Sequence, residues 1–263
     1  RFNLAMTPLA AQALYPFLAA LCVVGIIYGA LTALAQTDMK RLVAYSSVSH
    51  MGFVVLGLAA MSATGINGAV IQMVNHGLTT GALFACVGVL YHRYHTRDMN
   101  VLGGSWVKFP VLAFFFIYSA LGSAALPGLN GFIGEFPILA ATFAVSPWTC
   151  AGAVVGMILG AFYLMVLLWR AVFGPLREPA GDGHEHAEVA PFGWFEGAAL
   201  GSLAVVILCI GILPEVFFSR IRPAAAELTR VVERQEQAAF KVAARAPAAP
   251  AGASVTMLSR DAR

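Results

Sequence analysis

The chain has 263 residues, of which 59% are hydrophobic and only 11% charged, against roughly 25% charged in soluble domains. With a mean hydropathy of +0.78, that balance excludes an ordinary soluble enzyme or nucleic-acid-binding protein and indicates a polytopic membrane protein. The net charge of +3 decides little, because in membrane proteins the sign matters loop by loop.

At about 20 apolar residues per bilayer crossing, the sequence predicts an all-α transmembrane bundle of six spans. They are expected near residues 14–35, 42–62, 66–90, 111–145, 149–172 and 197–218. A tight uncharged turn is expected at 63–65, a polar loop at 91–108 and a charged Pro/Gly-rich loop at 173–195. A helix-like Ala/Arg/Glu segment should begin at Pro223 and give way to a disordered Ala/Pro tail. The chain begins at Arg1 in what reads as a loop, so it is expected to be the carboxy-terminal part of a longer protein. Cys22, Cys86, Cys150 and Cys209 are scattered through apolar segments and read as small buried hydrophobes.

Charge placement orients the bundle. Lys40, Arg41, Arg93, Arg97, Lys108, Arg170 and Arg177 fall on one side, whereas the short connections at 63–65 and 146–147 carry no charge. By the positive-inside tendency the first side is cytoplasmic. The arginines at 220, 222, 230 and 234 follow the last span on the outer side and run against this orientation.

The fourth span is interrupted. Leu126 to Pro137 holds Pro127, Gly128, Gly131 and Pro137 together with the only acidic residue of the run, Glu135. Proline and glycine there free backbone groups that lipid cannot satisfy, so such a break must line protein or a wet cavity. An ionisable residue beside it is a functional candidate. If Gly131 starts the second half-helix, Glu135 lies within about a turn of its positive end. At about 1.5 Å per residue and a core of about 30 Å, the midplane lies roughly ten residues into each span. His50 is eight residues past Leu42, His76 ten past Ile66, and Glu135 ten before Val145. Three ionisable side chains from different spans therefore fall at one depth. Ser46 and Ser47 share the face of His50, while Gln72, Thr79 and Thr80 share that of His76 beside Asn75. These are the supporting polar groups of an expected proton relay, because histidine exchanges protons near neutral pH. The cluster Gly183-His184-Glu185-His186-Ala187-Glu188 reads as a solvated loop rather than a metal site, and no cofactor motif is visible.

Several strings carry a resemblance. Residues 36–52 (QTDMKRLVAYSSVSHMG), Asn75-His76-Gly77, residues 91–98 (YHRYHTRD) and the break around Leu126-Pro127-Gly128 and Gly134-Glu135-Phe136 resemble the antiporter-like subunits of respiratory complex I. The likeness is strong over 16–172, rests on hydropathy over 173–218, and is absent beyond Pro223. Glutamate at position 135, where sister subunits generally carry lysine, selects one branch. Asn75 stands where many relatives have a small residue. The resemblance implies the second of two inverted five-helix repeats plus a final helix, the ninth to fourteenth of fourteen. It implies antiporter-like helices over 1–172, a cytoplasmic loop at 173–195, the last span at 196–222 and a periplasmic-side tail at 223–263. It further implies a proton-translocating subunit of NADH–quinone oxidoreductase in a bacterial inner membrane. Its partners would be neighbouring antiporter-like subunits and the lipid bilayer. NADH, FMN, iron–sulfur clusters and quinone would sit in other subunits, with no cofactor in this chain. The alternatives are a multisubunit cation/proton antiporter, a membrane-bound hydrogenase arm, or a scaffold that moves nothing.

Overall fold

The computed structural model describes residues 6–179 and 190–245. Among the described residues the regular structure is helical, with two isolated β-bridges besides. In chain order the helices are α1 (Pro8–Ala13), α2 (Tyr15–Leu34), α3 (Met39–Ala59), α4 (Ala63–Tyr94) and α5 (Ser105–Lys108). They are followed by α6 (Pro110–Ser123), α7 (Asn130–Val145), α8 (Pro147–Leu168), α9 (Trp194–Ile212) and α10 (Pro214–Arg245). α8 runs on into a π-helical turn, Trp169–Phe173.

Five of these helices are long and apolar enough to cross a membrane: α2, α3, α4, α8 with its π turn, and α9. α6 and α7 are apolar but have only 14 and 16 residues, each too short to cross a core of about 30 Å alone. They follow one another across a six-residue link, 124–129, in which Ala125 takes a left-handed φ of 56° and Gly128 a φ of 94°. The break therefore opens two residues earlier than Leu126, and α7 begins at Asn130 rather than Gly131. Gly131 serves close approach instead: a Cβ there would strike the carbonyl oxygen of Gly122, where the start of α7 crosses the end of α6.

Other boundaries differ from the sequence reading for local reasons. Residues 63–65 lie inside α4, because Ser62 accepts a cap hydrogen bond from the Gly65 amide at 3.1 Å and moves the turn to 60–62. α4 continues past Leu90 to Tyr94 and stops where His95 enters the left-handed region at φ 50°. The expected loop at 91–108 accordingly starts later and contains α5. The sixth span ends at Ile212, and Pro214 opens α10 at a position that suits proline. Residues 214–218 thus belong to α10, and Pro223 lies within that helix rather than starting it. α10 buries Ala225 and Val232 and packs against α4 and α1. The His/Glu loop (182–188) and the tail beyond 245 lie outside the described residues.

Two apolar clusters hold the bundle together. The larger joins α2, α3, α4, α6 and α8 through residues such as Met39, Leu83, Phe116 and Leu164, while the smaller joins α2, α3, α7 and α8 around Ile26, Phe53 and Ile138. Cys22, Cys86 and Cys150 are buried free thiols, but Cys209 is exposed on the outer face of α9, contrary to its expected burial.

At the basic end, the loops before α3 and after α4 are clipped together. Asp38 caps α3 by accepting from the Arg41 amide at 3.0 Å and pairs with Arg97 at 3.3 Å. The Met39 amide donates to the Arg97 carbonyl and the Met99 amide to that of Thr37, at 3.0 and 2.9 Å. Further along, Arg93 grips both oxygens of Glu196 at 2.7 and 2.9 Å, tying the end of α4 to the start of α9. Replacing Asp38 by alanine removes the cap, a loss of about 1 kcal/mol. The melting temperature of the purified membrane protein should then fall by about 3 °C, whereas Asp38→Asn, which keeps the cap acceptor, should lose less.

Candidate functional site

Glu135 sits on α7 and is only 3% exposed. Burying a carboxylate is costly unless hydrogen bonds replace its water, and α3 and α4 supply them. Its Oε1 lies 3.1 Å from Nδ1 of His50 on α3 and accepts from Nε2 of Gln72 on α4 at 3.0 Å. Glu135 is the sixth residue of α7, about one and a half turns in. The proximity to the helix start expected from Gly131 is therefore not met, and side chains rather than the helix terminus hold the carboxylate.

His50 is the centre of the cluster. Its other nitrogen, Nε2, lies 3.2 Å from the hydroxyls of both Ser123, at the end of α6, and Tyr163 on α8. Its ring lies 5.3 Å from that of His76, tilted by 40°. The order across the site is thus His76, His50, Glu135, with His50 in the middle. In the neutral ring with its proton on Nδ1, that proton donates to Glu135 and Nε2 accepts from a hydroxyl. When both nitrogens are protonated, Nε2 donates to the same hydroxyl oxygens. Either charge state is satisfied without moving the ring.

α4 lines the opposite wall. Nδ2 of Asn75 donates to the backbone carbonyl of Asn130 at 2.6 Å, and Nδ2 of Asn130 returns a weaker bond to the Asn75 carbonyl at 3.4 Å. Asn75 also reaches Oε1 of Gln72 at 3.4 Å. These bonds tie α4 to the first residue of α7, which gives Asn75 a structural role in place of a small residue. Thr80 meets Nδ1 of His76 at 3.1 Å. Close packing of α7 on α4 requires Gly134, because a Cβ there would run into the Gln72 side chain.

Of the supporting residues expected from sequence, Gln72, Asn75 and Thr80 join the cluster directly, and Ser46 joins it through a hydrogen bond to Tyr163. Ser46, Ser47 and Thr79 do not bond the histidines: Ser46 and Ser47 donate to the Val43 carbonyl at 2.7 and 3.5 Å, and Thr79 to that of Asn75 at 3.0 Å. Hydroxyls one turn along a helix prefer the carbonyl beneath them. Pro127 and Gly128 lie in the link between the half-helices, and Pro137 lies inside α7. Sequence reasoning missed Ser123, Asn130 and Tyr163. Asn130, directly beside the glycines of the break, was visible in the motif. A lone tyrosine in an apolar span carries no comparable signal.

A buried carboxylate–imidazole cluster beside an interrupted helix is the arrangement of an antiporter-like membrane module. The described residues hold no group of three or more side chains able to bind a metal. The family of transmembrane modules described as NADH:quinone oxidoreductase/Mrp antiporter matches residues 1–160, and the chain belongs to that family. It is 39% identical over 230 residues to the NADH-quinone oxidoreductase subunit M of Rhodobacter capsulatus, covering 88% of this chain and 44% of that protein. Among solved structures it is similar to a chain of respiratory complex I from Thermus thermophilus with bound NADH. That likeness has a TM-score of 0.77 and 28% identity, covering 88% of this chain and 48% of the other. It also shares the fold of a chain in the Mrp complex from Dietzia sp. DQ12-45-1b, with a TM-score of 0.74 and 21% identity over 84% of this chain and 49% of that one. The chain spans less than half the length of the curated relatives it matches.

Two hydroxyls serve one nitrogen at His50, so their removal should be non-additive. Ser123→Ala and Tyr163→Phe should each cost little. The double variant, which strands a buried ring nitrogen, should cost about 1–3 kcal/mol, with a coupling readable by thermal unfolding of the purified membrane protein. Additive effects of the two substitutions would remove the shared-partner arrangement.

Proposed function

We propose that this chain carries protons across a membrane as part of subunit M of an NADH–quinone oxidoreductase. Protons step along His76, His50 and Glu135 and leave on the outer side. The observation that carries the reading is the continuous contact from His76 through His50 to Oε1 of Glu135, closed by hydroxyls that satisfy both charge states of His50. Buried side-chain oxygens of Asn75 and Asn130 have no protein partner; acceptors of this kind are where water extends a hydrogen-bonded file. The likeness to subunit M relatives supports the coupling to electron transfer, which takes place in partner subunits that hold NADH, FMN, iron–sulfur clusters and quinone. In this arrangement the loops carrying Lys40, Arg41, Arg93, Arg97, Lys108 and Arg177 face the cytoplasm of a bacterium. α10 lies on the outer side, and the bundle sits beside neighbouring antiporter-like subunits.

A second reading, a subunit of a cation/proton antiporter, draws on the shared fold with the Mrp complex. Sodium-dependent transport in the absence of NADH oxidation separates it from the first.

In membrane vesicles carrying the whole complex, Glu135→Gln should lower NADH-driven proton pumping by more than about tenfold, the scale expected when a proton-transfer group is lost. Glu135→Asp should keep part of it. His76→Gln preserves volume and hydrogen bonding but not proton exchange, so it should fall as far as His76→Ala. Normal pumping in Glu135→Gln would remove that residue from the path. A scaffold that moves nothing would pump normally with all three positions neutralised.

A further inference from the structure

At the basic end of the bundle, away from the Glu135 cluster, a cavity of about 670 Å3 opens at the π turn of α8, where Met165, Val166, Trp169, Arg170, Phe173 and Arg177 line it. π turns concentrate at functional positions, and this one contributes Trp169, Arg170 and Phe173 together. The opposite wall is fixed by reciprocal backbone hydrogen bonds between Gly103 and Arg177, both 3.1 Å. Arg170 has no hydrogen-bond or ion-pair partner among the described residues. Among the described residues, the Arg177 side chain donates to the Asn100 carbonyl alone, at 3.4 Å, and its Nε is buried without a partner. The adjacent acid, Glu178, is engaged by Tyr94 and Lys108, each at 2.7 Å. Among the described residues, two guanidinium groups therefore share a pocket and form no ion pair there.

Below the arginines the surface is apolar and continuous. Val155, Ile158, Phe162, Met165 and Trp169 are all exposed and recur at three- and four-residue spacing, which makes one stripe along the outside of α8 that ends at the cavity. Trp106 packs against Phe173 at 6.3 Å between ring centres, and aromatic side chains of this kind sit at headgroup level. We propose that the cavity binds the phosphate headgroup of an anionic phospholipid, with Arg170 and Arg177 on the phosphate and an acyl chain along the α8 stripe. A guanidinium suits phosphate because its donors form a planar fork. The apolar stripe favours a lipid over free phosphate, which would leave that surface unused.

The test uses the full membrane assembly that contains this chain, delipidated by detergent exchange and incubated with photoactivatable phosphatidylglycerol or phosphatidylcholine, with labelled peptides mapped by mass spectrometry. In the unmodified protein, labelling of residues 155–177 should favour phosphatidylglycerol by about fivefold, the factor expected from one arginine at a membrane surface. Arg170→Gln should abolish the preference while assembly persists, and Arg170→Lys should retain part of it. Equal labelling by the two lipids in the unmodified protein, which needs no variant, would overturn the proposal. So would an unchanged preference in Arg170→Gln. Loss of phosphatidylglycerol labelling on adding equimolar inorganic phosphate would assign the pocket to a small anion instead; failure of phosphate to compete supports the lipid.

Discussion

A carboxylate cannot be carried into a bilayer without replacements for its water, and the architecture around Glu135 follows from that cost. Two partners on one carboxyl oxygen require α3 and α4 to reach α7 at one level. For α4 to come close enough, position 134 must lack a side chain, and the helix that carries the carboxylate is interrupted nearby. Asn75 braces the start of α7 from α4 by donating to the Asn130 carbonyl. One buried carboxyl group is thus bound up with a glycine, an amide pair and a discontinuous helix.

The same economy appears in where the charges are placed. At the basic end Asp38, Arg93, Arg97, Lys108, Glu178 and Glu196 are paired, joining successive helices where the chain meets water. Such partly exposed pairs add little stability singly, but they fix the register of α3 and α4. That register sets the depth of His50 relative to His76. In the interior, by contrast, the ionisable residues are gathered at one level and surrounded by hydroxyls and amides.

Much of this was legible in the sequence, because apolar length and proline–glycine placement act locally. The long helices, the interrupted one and the common depth of His50, His76 and Glu135 followed from counting residues. Boundaries were displaced where a single residue overrode the hydropathy pattern: Ser62 as a cap, His95 in a left-handed conformation, Pro214 at a helix start. The order within the site was not legible, since depth along a helix says nothing of azimuth. Tyr163 enters the cluster from α8 only through packing; Ser46 reaches it through the Tyr163 hydroxyl rather than through a histidine, and Ser47 was lost to it because the nearest carbonyl satisfied it first.

The pair of hydroxyls on Nε2 of His50 has a kinetic consequence. A histidine that had to rotate between donors would be slowed by its packing against His76 and by the fully buried Tyr163. Here only hydroxyl hydrogens need to turn when the ring gains or loses charge, and such rotors are among the fastest movements in a protein. The ring can therefore change between its neutral and charged forms in place, with the reorganisation confined to two hydroxyl hydrogens.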